Sequence, residues 1–406
     1  MNKKLKNIIV SVLSVYTLNS CLETFDFESE VENTFESALV IEATLTNELK
    51  NQKILLSRTF QLDTVVPSPE SNANVKVIDN LQNEYLFQES ELGTYVSTAI
   101  FAALPNRDYK LKITTANGRT YSSKDMQLTP STQIGNIDVA RGFNDDGVEG
   151  ISILIDSHDP SGNSRFYRYE YEETYKIIAP RYSAFEIIFD EGSFFDYSLE
   201  IRPEQERVCY NTVESNTIIQ ASTLNLVEDR LESFTARFIN RDNYIMSHRY
   251  SILVKQFVQS SEAYTFYSIL KNLSESESLL SQSQPGQVVG NVFSEDSQEE
   301  LVLGYFEASS VDMKRIYFNY VDFFPGEELP PYVVGCNTFI APALASMGMP
   351  PGHPLFDHIA QGFQYFEAND GDIVGDFLNG PEILVLPECG DCTTLGSNKK
   401  PDFWID

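Results

Sequence analysis

The sequence lacks the short motifs by which many enzymes are recognised. It contains no Gly-x-Ser-x-Gly nucleophile elbow, no His-Glu-x-x-His zinc motif and no glycine-rich phosphate loop. Carboxylates are abundant, but no pair of them stands out as the acid and base of a glycosidase. We therefore expect a protein that is not an enzyme, uses no cofactor and acts by binding.

Basic residues are scarce. The chain has 29 Lys and Arg against 59 Asp and Glu, which gives a formal net charge of −30 at pH 7. Such a polyanion is repelled by nucleic acid and by anionic lipid. The composition argues against both as partners and suits a solvated exterior surface.

Long apolar runs are absent outside the N-terminus. Three lysines within the first six residues precede an apolar stretch over residues 8–18, which has the length of a signal-peptide core and is too short to span a bilayer. The stretch ends at Leu18-Asn19-Ser20-Cys21, which resembles a bacterial lipobox. We therefore predict a lipoprotein signal peptide over residues 1–20 and a lipid anchor on Cys21, where each buried acyl methylene contributes ~0.8 kcal/mol. The alternative is an ordinary secretory signal with a chance cysteine.

The segment over residues 21–37 is acidic and has no basic residue. Its charges begin with Glu23, Asp26, Glu28, Glu30 and Glu32. High charge with few apolar residues predicts a disordered tether between the anchor and the folded body.

Four cysteines remain after Cys21, namely Cys209, Cys336, Cys389 and Cys392. An even number in an exported protein predicts two disulfides. Of the three possible pairings, the simplest closes Cys389 on Cys392 and leaves Cys209 with Cys336. A zinc site would need a second close pair, and a redox-active C-x-x-C would be expected at a helix N-terminus, so both are weaker alternatives.

Residues 38–128 show short alternating segments separated by turn signals, which predict β-strands. Seven strands are expected, at residues 39–45, 53–57, 74–79, 85–87, 93–96, 109–114 and 120–123. Asn117-Gly118 predicts a hairpin between the last two. Seven strands in this length favour an immunoglobulin-like β-sandwich.

Residues 129–406 are predicted to form a larger β-rich domain. Strands are expected at residues 150–156, 166–178, 233–238, 250–258, 287–293, 301–308 and 314–318. After Ser260 and Ser261, apolar residues recur at helical spacing up to Leu273, which predicts one amphipathic helix that covers a face of the sheet. The fold class is therefore mainly β.

Two places invite a metal hypothesis. His353 and His358 do not have the spacing of a zinc helix motif, and Pro354 between them disfavours one helix that presents both. Residues 370–376 match part of a calcium loop, but Val374 and Pro381 occupy positions that need oxygen ligands. We predict no metal site at either place.

Several ordered motifs resemble those of the Bacteroidota lipoproteins catalogued as domain of unknown function 4249. Besides the lipobox, they are Gly93-Thr94-Tyr95, Asp159-Pro160 before Tyr167-Arg168-Tyr169, Val254-Lys255-Gln256 before Glu262-Ala263-Tyr264, Gln284-Pro285-Gly286 before Gly290-Asn291-Val292, Leu303-Gly304-Tyr305-Phe306, and Cys389-Gly390-Asp391-Cys392 before Lys400-Pro401-Asp402-Phe403-Trp404. The resemblance implies a lipid anchor in the outer membrane. Members are typically encoded beside TonB-dependent transporters, and the acids after Cys21 resemble a signal for export to the cell surface.

The resemblance therefore implies an accessory or substrate-capture subunit whose partner is a TonB-dependent transporter barrel. A surface adhesion or structural module is the alternative, and a surface hydrolase is a weaker one. The family has no assigned catalytic residues to carry over.

Two aromatic-rich loops, over residues 185–197 and 324–355, are the expected contact surface for the barrel. Their aromatic residues are Phe189, Phe194, Phe195, Tyr197, Phe323, Phe324 and Tyr332. A stable contact would bury at least about 1,000 Å² and would use such residues more than acidic ones. Packing of these side chains against the protein's own core is an equal alternative.

Overall fold

The computed structural model describes residues 37–59, 68–193, 196–275, 288, 290–340, 354–369 and 380–406. Within it, Ala38–Thr59 and Pro67–Asp406 form one compact unit. The predicted signal peptide, Cys21 and most of the tether lie outside the described residues, as do His353 and the calcium-like loop.

The described chain is mainly β, which confirms the predicted fold class. The first strands are β1 (Leu39–Thr46), β2 (Lys53–Arg58), β3 (Ser68–Pro69), β4 (Asn74–Asp79), β5 (Glu84–Glu91), β6 (Thr94–Ser97), β7 (Asp108–Thr114), β8 (Thr120–Ser123), β9 (Met126–Gln127), β10 (Ile134–Phe143), β11 (Glu149–His158) and β12 (Phe166–Ile178). They are followed by β13 (Phe185–Phe189), β14 (Tyr197–Ile201), β15 (Val208–Glu214), β16 (Ile219–Ser222), β17 (Arg230–Asn240), β18 (Arg249–Val258), β19 (Val292–Ser294), β20 (Val302–Ser309), β21 (Val311–Asn319), β22 (Phe339–Ile340), β23 (Gln364–Ala368) and β24 (Glu382–Val385).

Helical elements are few and mostly short. They are α1 (Ser261–Glu275), α2 (Tyr320–Phe323), α3 (Pro354–Ala360) and α4 (Pro387–Gly390), with 3₁₀ turns at Tyr244–Met246 and Cys392–Thr394. The predicted amphipathic helix is α1, and the Ser260 hydroxyl caps it by accepting a hydrogen bond of 3.1 Å from the Ala263 amide. Among the described helices, none is long and apolar enough to cross a membrane.

The strands of residues 38–128 belong to an 11-stranded sheet, whose main path is β19-β8-β7-β4-β5-β6-β2-β1-β20. The predicted strands and the hairpin at Asn117-Gly118 are present, and Gly118 has a φ of 87°. The sheet also takes in β19 and β20, far later in the chain, and β20 runs parallel to β1 from Leu39 opposite Val302 to Thr46 opposite Ser309. Strands β19 and β20, within residues 292–309, therefore form the two ends of the sheet to which the N-terminal strands belong.

The two ends of this sheet meet at Asn291. Its buried side chain accepts a hydrogen bond of 2.8 Å from the Phe306 amide and donates one of 2.7 Å to the Phe306 carbonyl. Gly290 lies against Gly304, where a Cβ on Gly290 would come within 1.8 Å of the Gly304 oxygen. The two backbones can approach this closely only because residue 290 is glycine. The side-chain amide of Asn291 makes the two hydrogen bonds to the Phe306 backbone that a neighbouring strand would otherwise make.

The larger region is a sandwich of a three-stranded sheet, β10-β11-β17, and a five-stranded sheet, β15-β12-β18-β21 with β16 beside β12. Alternate residues of β12 point into the shared core, which explains why the strand is rich in tyrosine. The core residues of β12 include Tyr167, Tyr169, Tyr171 and Tyr175.

The region predicted as a loop at residues 185–197 is a β-hairpin, so that prediction was wrong. β13 and β14 pair from Phe185 opposite Ile201 to Phe189 opposite Tyr197. The hairpin shares an apolar cluster with the small sheet β22-β24-β23, through Ile187, Tyr365 and Leu384. The turn uses Gly192 at a φ of 80°.

Two disulfides are present, as predicted, but the predicted pairing was wrong. Cys209 is bonded to Cys392, and Cys336 is bonded to Cys389. Cys389 lies in α4, and Asp391 then turns the backbone to an extended conformation before Cys392. The amide of Cys392 donates a hydrogen bond of 2.9 Å to the Glu206 carbonyl just before β15, so the two neighbouring thiols meet different parts of the chain.

Candidate ligand cavity

A cavity of about 730 Å³ lies between the 11-stranded sheet, β12 and helix α1. Side chains alternate between the two faces of each strand, and this alternation determines which residues line the cavity. On β1, Leu39 and Ile41 point into the core of the sheet, so Val40, Glu42 and Thr44 point the other way and line the cavity. The loop over residues 215–218, between β15 and β16, forms a further wall.

Much of the lining is apolar. Its strand residues Val40, Leu55, Leu303 and Tyr305 are apolar although they face away from the core of their own sheet. The apolar residues are Val40, Ile41, Leu55, Tyr169, Ile218, Phe266, Tyr267, Leu270, Leu273, Val288, Leu303 and Tyr305. A volume between about 300 and 1,000 Å³ with apolar walls and a few polar groups is typical of small-molecule sites.

Arg168 is the most unusual residue of the wall. Because Tyr167 and Tyr169 face the sandwich core, Arg168 points to the opposite side of β12, where it is only 7 % exposed. Its guanidinium carbon lies 4.4 Å from the centre of the Phe257 ring and 4.9 Å from that of the Tyr267 ring. The cation is therefore held between two aromatic faces.

Two carboxylates neutralise Arg168. Its Nη2 donates a hydrogen bond of 2.7 Å to Glu307, which is 2 % exposed, and its Nη1 pairs with Glu170. Burial acts most strongly and lowers the pKa of Arg168, but the charges of Glu307, Tyr267 and Glu170 and the hydrogen bond to Glu307 together outweigh it, and the pKa lies above its usual value. Arg168 is therefore charged at every physiological pH.

Glu307 also joins three elements of the fold. It accepts a hydrogen bond of 3.1 Å from Thr44 on β1 and one of 3.4 Å from Gln259 after β18. Gln259 in turn accepts from Gln220 on β16 at 2.9 Å, and Ser268 of α1 donates to Gln220 at 3.1 Å. The network positions α1 against the cavity.

Glu42 and Lys53 are exposed charged residues at the edge of the cavity. Neither has an ion-pair partner within the part of the chain that the structure describes. With Glu170 and Glu307, the site has three carboxylates against the two basic groups of Arg168 and Lys53. The net formal charge around the cavity is therefore negative.

A second cavity, of about 650 Å³, adjoins the N-terminal end of α1. Its charged lining residues, Lys124, Asp125 and Glu262, are all exposed. We choose the first cavity as the candidate site because it alone of the two has a buried charge in its wall.

The predicted metal and contact residues do not gather into one site. His358 bonds through Nδ1 to the Pro354 carbonyl at 2.6 Å, and the described residues contain no cluster of three or more His, Cys, Asp or Glu that could hold a metal ion. Phe324 is fully buried and stacks on Tyr320, which removes it from the predicted contact surface. Phe194 and Phe195 lie outside the described residues.

The other predicted contact aromatics lie at least partly within the protein's own packing. Phe189 and Tyr197 join the cluster around Leu384, while Phe323 and Tyr332 pack against the sandwich core. Residue-by-residue reasoning missed Arg168 and Glu307 as site residues. The sequence did contain a signal for a second apolar surface on this sheet. Val40, Leu55, Leu303 and Tyr305 are apolar at strand positions that face away from the core of the sheet.

The fold and the cavity define a β protein with several sheets and a partly charged cavity beside its one long described helix. The chain belongs to the family described as a domain of unknown function (DUF4249), whose family model matches residues 24–315. This span includes every residue that lines the cavity. No curated protein matches the sequence.

Two solved structures show weak similarity. One is a DUF4785 family protein from Legionella pneumophila subsp. pneumophila strain Philadelphia 1, with 8 % identity and a TM-score of 0.17, over 54 % of this chain and 51 % of that chain. The other is trypsin-activated alpha-2-macroglobulin from Escherichia coli, with 7 % identity and a TM-score of 0.17, over 56 % of this chain and 15 % of that chain. The chain thus spans about half of the first structure and a smaller part of the second.

Proposed function

We propose that the protein is a surface lipoprotein of the outer membrane that captures a small ligand and delivers it to a TonB-dependent transporter. The observation that carries the capture step is the cavity of about 730 Å³, whose walls combine apolar side chains with a few charged groups. Sites with this combination bind small molecules because the apolar walls supply affinity and the polar groups fix orientation.

Binding without catalysis is the activity that the chemistry of the cavity favours. The buried cation, Arg168, is already paired with Glu307 and Glu170. Among the described lining residues there is no Cys or His to act as a nucleophile or base. We therefore assign no catalytic step to this site.

The proposed location rests on the N-terminal sequence. The apolar stretch and the lipobox-like Leu18-Asn19-Ser20-Cys21 support an anchor at Cys21, and the acidic tether supports display at the cell surface. The two disulfides are consistent with export, because disulfides persist in oxidising compartments. The transporter partner follows from the family resemblance.

Capture can be tested by extracting the native lipoprotein in mild detergent and identifying both its small molecules and its protein partners by mass spectrometry. A Leu303→Trp variant would fill the cavity, while Leu86→Trp places the same bulk at an exposed site on β5 that does not line it. We expect a bound small molecule with the wild type and with Leu86→Trp, and none with Leu303→Trp.

The transporter role predicts that a barrel co-purifies with the lipoprotein. It also predicts that deletion of the gene lowers uptake of the captured molecule. A lipoprotein that purifies alone, with every transport phenotype intact after deletion, would favour a surface adhesion or structural module instead.

A further inference from the structure

We infer that the cavity selects a small apolar molecule that carries a positive charge, such as an alkyl or aryl amine. The inference rests on the proposed capture function and adds the chemical class of the ligand. It follows from the distribution of charge around the cavity, the aromatic walls and the net charge of the protein.

The charge of Arg168 is not available to an anionic ligand. Glu307 and Glu170 both contact the guanidinium, and Phe257 and Tyr267 cover it at ring distances of 4.4 and 4.9 Å. An anion that approached Arg168 would have to displace a carboxylate and would leave that carboxylate unpaired in a partly apolar site. Loss of a partner from a buried charge is unfavourable.

Tyr267 lines the cavity and lies within the field of both Arg168 and the carboxylates. Desolvation raises the pKa of the Tyr267 hydroxyl most, the charge of Glu307 raises it further, the charge of Arg168 lowers it, and Glu170 and Glu42 raise it by smaller amounts. The Glu170 side chain is 41 % exposed and Glu42 is exposed, so both remain accessible to a ligand. A cationic group in the cavity would therefore find Glu42 and Glu170 accessible, while Glu307 already neutralises Arg168.

Aromatic rings on the same wall suit a cation that also has apolar groups. Phe266 and Tyr305 line the cavity with ring centres 5.3 Å apart, and Tyr267 is adjacent to Phe266. The faces of such rings attract cations, and their edges and the neighbouring leucines offer apolar contact. A hydrophilic metal ion would not use these walls.

One residue opposes the inference locally. Lys53, at the edge of the cavity, has no ion-pair partner among the described residues, and it would attract an anionic group. It is exposed, so solvent and salt screen it as they screen Glu42 and Glu170, but it is one cation against these two carboxylates. The protein as a whole has a formal net charge of −30, which favours the approach of cations over anions.

The inference can be tested with three probes that share one apolar chain and differ in the charge of the head group: octyltrimethylammonium, octanoate and octanol. Their binding to the mature full-length protein would be measured by titration calorimetry, below the concentration at which the probes form micelles. We expect octyltrimethylammonium to bind most tightly and octanoate least. Added salt should weaken the binding of the ammonium and leave that of octanol nearly unchanged.

Three variants identify the residues responsible. Glu42→Gln and Glu170→Gln should each weaken the affinity for octyltrimethylammonium by about two- to five-fold, the effect expected for one partly exposed charge. Neither should change the affinity for octanol. Glu232→Gln is the matched control, since Glu232 is exposed and does not line the cavity. It should alter none of the three affinities.

The outcomes separate this inference from the capture function. The inference of a positively charged ligand would be wrong if octanoate bound most tightly, or if Glu232→Gln weakened the affinity for the ammonium as much as Glu42→Gln and Glu170→Gln do. The proposed capture function would stand in either case. If no probe binds the wild type and native extraction yields no small molecule, both fail.

Discussion

Arg168 on β12 is paired with Glu307 on β20, at 2.7 Å and across 139 residues of sequence. The pair joins the 11-stranded sheet, completed by β20, to the five-stranded sheet of the sandwich that contains β12. Of the two residues, Arg168 lines the cavity. The same contact therefore connects the two sheets and neutralises the buried cation in the wall of the candidate site.

Loss of one partner should destabilise the protein strongly. Glu307→Leu leaves the guanidinium of Arg168 buried with only Glu170 as a partner, and breaking a buried pair costs about 3 to 5 kcal/mol. The double variant Arg168→Met with Glu307→Leu should recover most of this loss, because no buried charge is left unpaired. Urea unfolding would measure it, with fluorescence of Trp404, the single tryptophan, as the signal.

A surface pair offers the control. Arg230 and Glu228 lie 3.3 Å apart with side chains that are largely exposed. Arg230→Met should change the free energy of unfolding by less than about 1 kcal/mol. An equally small change for Glu307→Leu would show that the buried pair does not hold the sheets together.

The disulfide pairing predicts which cysteine variants behave alike. Cys209→Ala and Cys392→Ala should each open the bond that spans 183 residues, and Cys336→Ala and Cys389→Ala the bond that spans 53. The loop-closure entropy that the unfolded chain regains should lower the free energy of unfolding by about 5 and about 4 kcal/mol, respectively, and measured losses are often smaller. Peptide mapping without reduction should find Cys392 linked to Cys209, and a Cys389–Cys392 peptide would contradict the structure.

Local periodicity made most strands predictable. β12 was predicted at residues 166–178 as a long strand rich in tyrosine, and its four tyrosines all lie on the face that points into the core. The hairpin of β13 and β14 carried the same signal in Phe185, Ile187 and Phe189, followed by Gly192. It was missed because the aromatic residues were interpreted as a contact loop.

Long-range partners were not predictable from one sequence. The alternation in β1 indicates a strand, but nothing local specifies that β20 pairs with it in parallel. The partner of Cys392 depends on the same tertiary arrangement, so proximity in sequence gave the wrong pair. The cavity also requires three separate elements to meet, and its buried charge pair was missed for this reason.

The closure of the 11-stranded sheet depends on Asn291. Asn291→Ala would remove the two hydrogen bonds to the backbone of Phe306 and leave a buried amide and a buried carbonyl without partners. Each such group costs about 1 to 3 kcal/mol, so we expect a loss of about 2 to 6 kcal/mol in total. Asn136→Ala, at an exposed asparagine on β10, is the matched control for unfolding measurements. Equal stability of the two variants would mean that the sheet does not rely on this closure.

Glu382 predicts an unusual dependence of stability on pH. Burial raises the pKa of its carboxyl above the ordinary value of 4.5, and the hydrogen bond of 2.9 Å from Tyr197 only partly opposes this. Below about pH 4.5 the folded and unfolded states both hold the proton, and the contribution of Glu382 to stability is complete. As the pH rises, the unfolded state releases the proton first, so stability is lost until the pH passes the pKa of the folded state.

Glu382→Gln removes this titration and keeps an oxygen that accepts from Tyr197. Relative to the wild type, the variant should therefore be more stable at pH 7 than at pH 4, as measured by urea unfolding at the two values. Glu388→Gln is a suitable comparison, because Glu388 also lies close to the end of β24 and its contact with Tyr332 uses the main-chain carbonyl. A difference between Glu382→Gln and the wild type that is the same at both pH values would show that the pKa of Glu382 is the same in the folded and unfolded states, so that burial does not raise it.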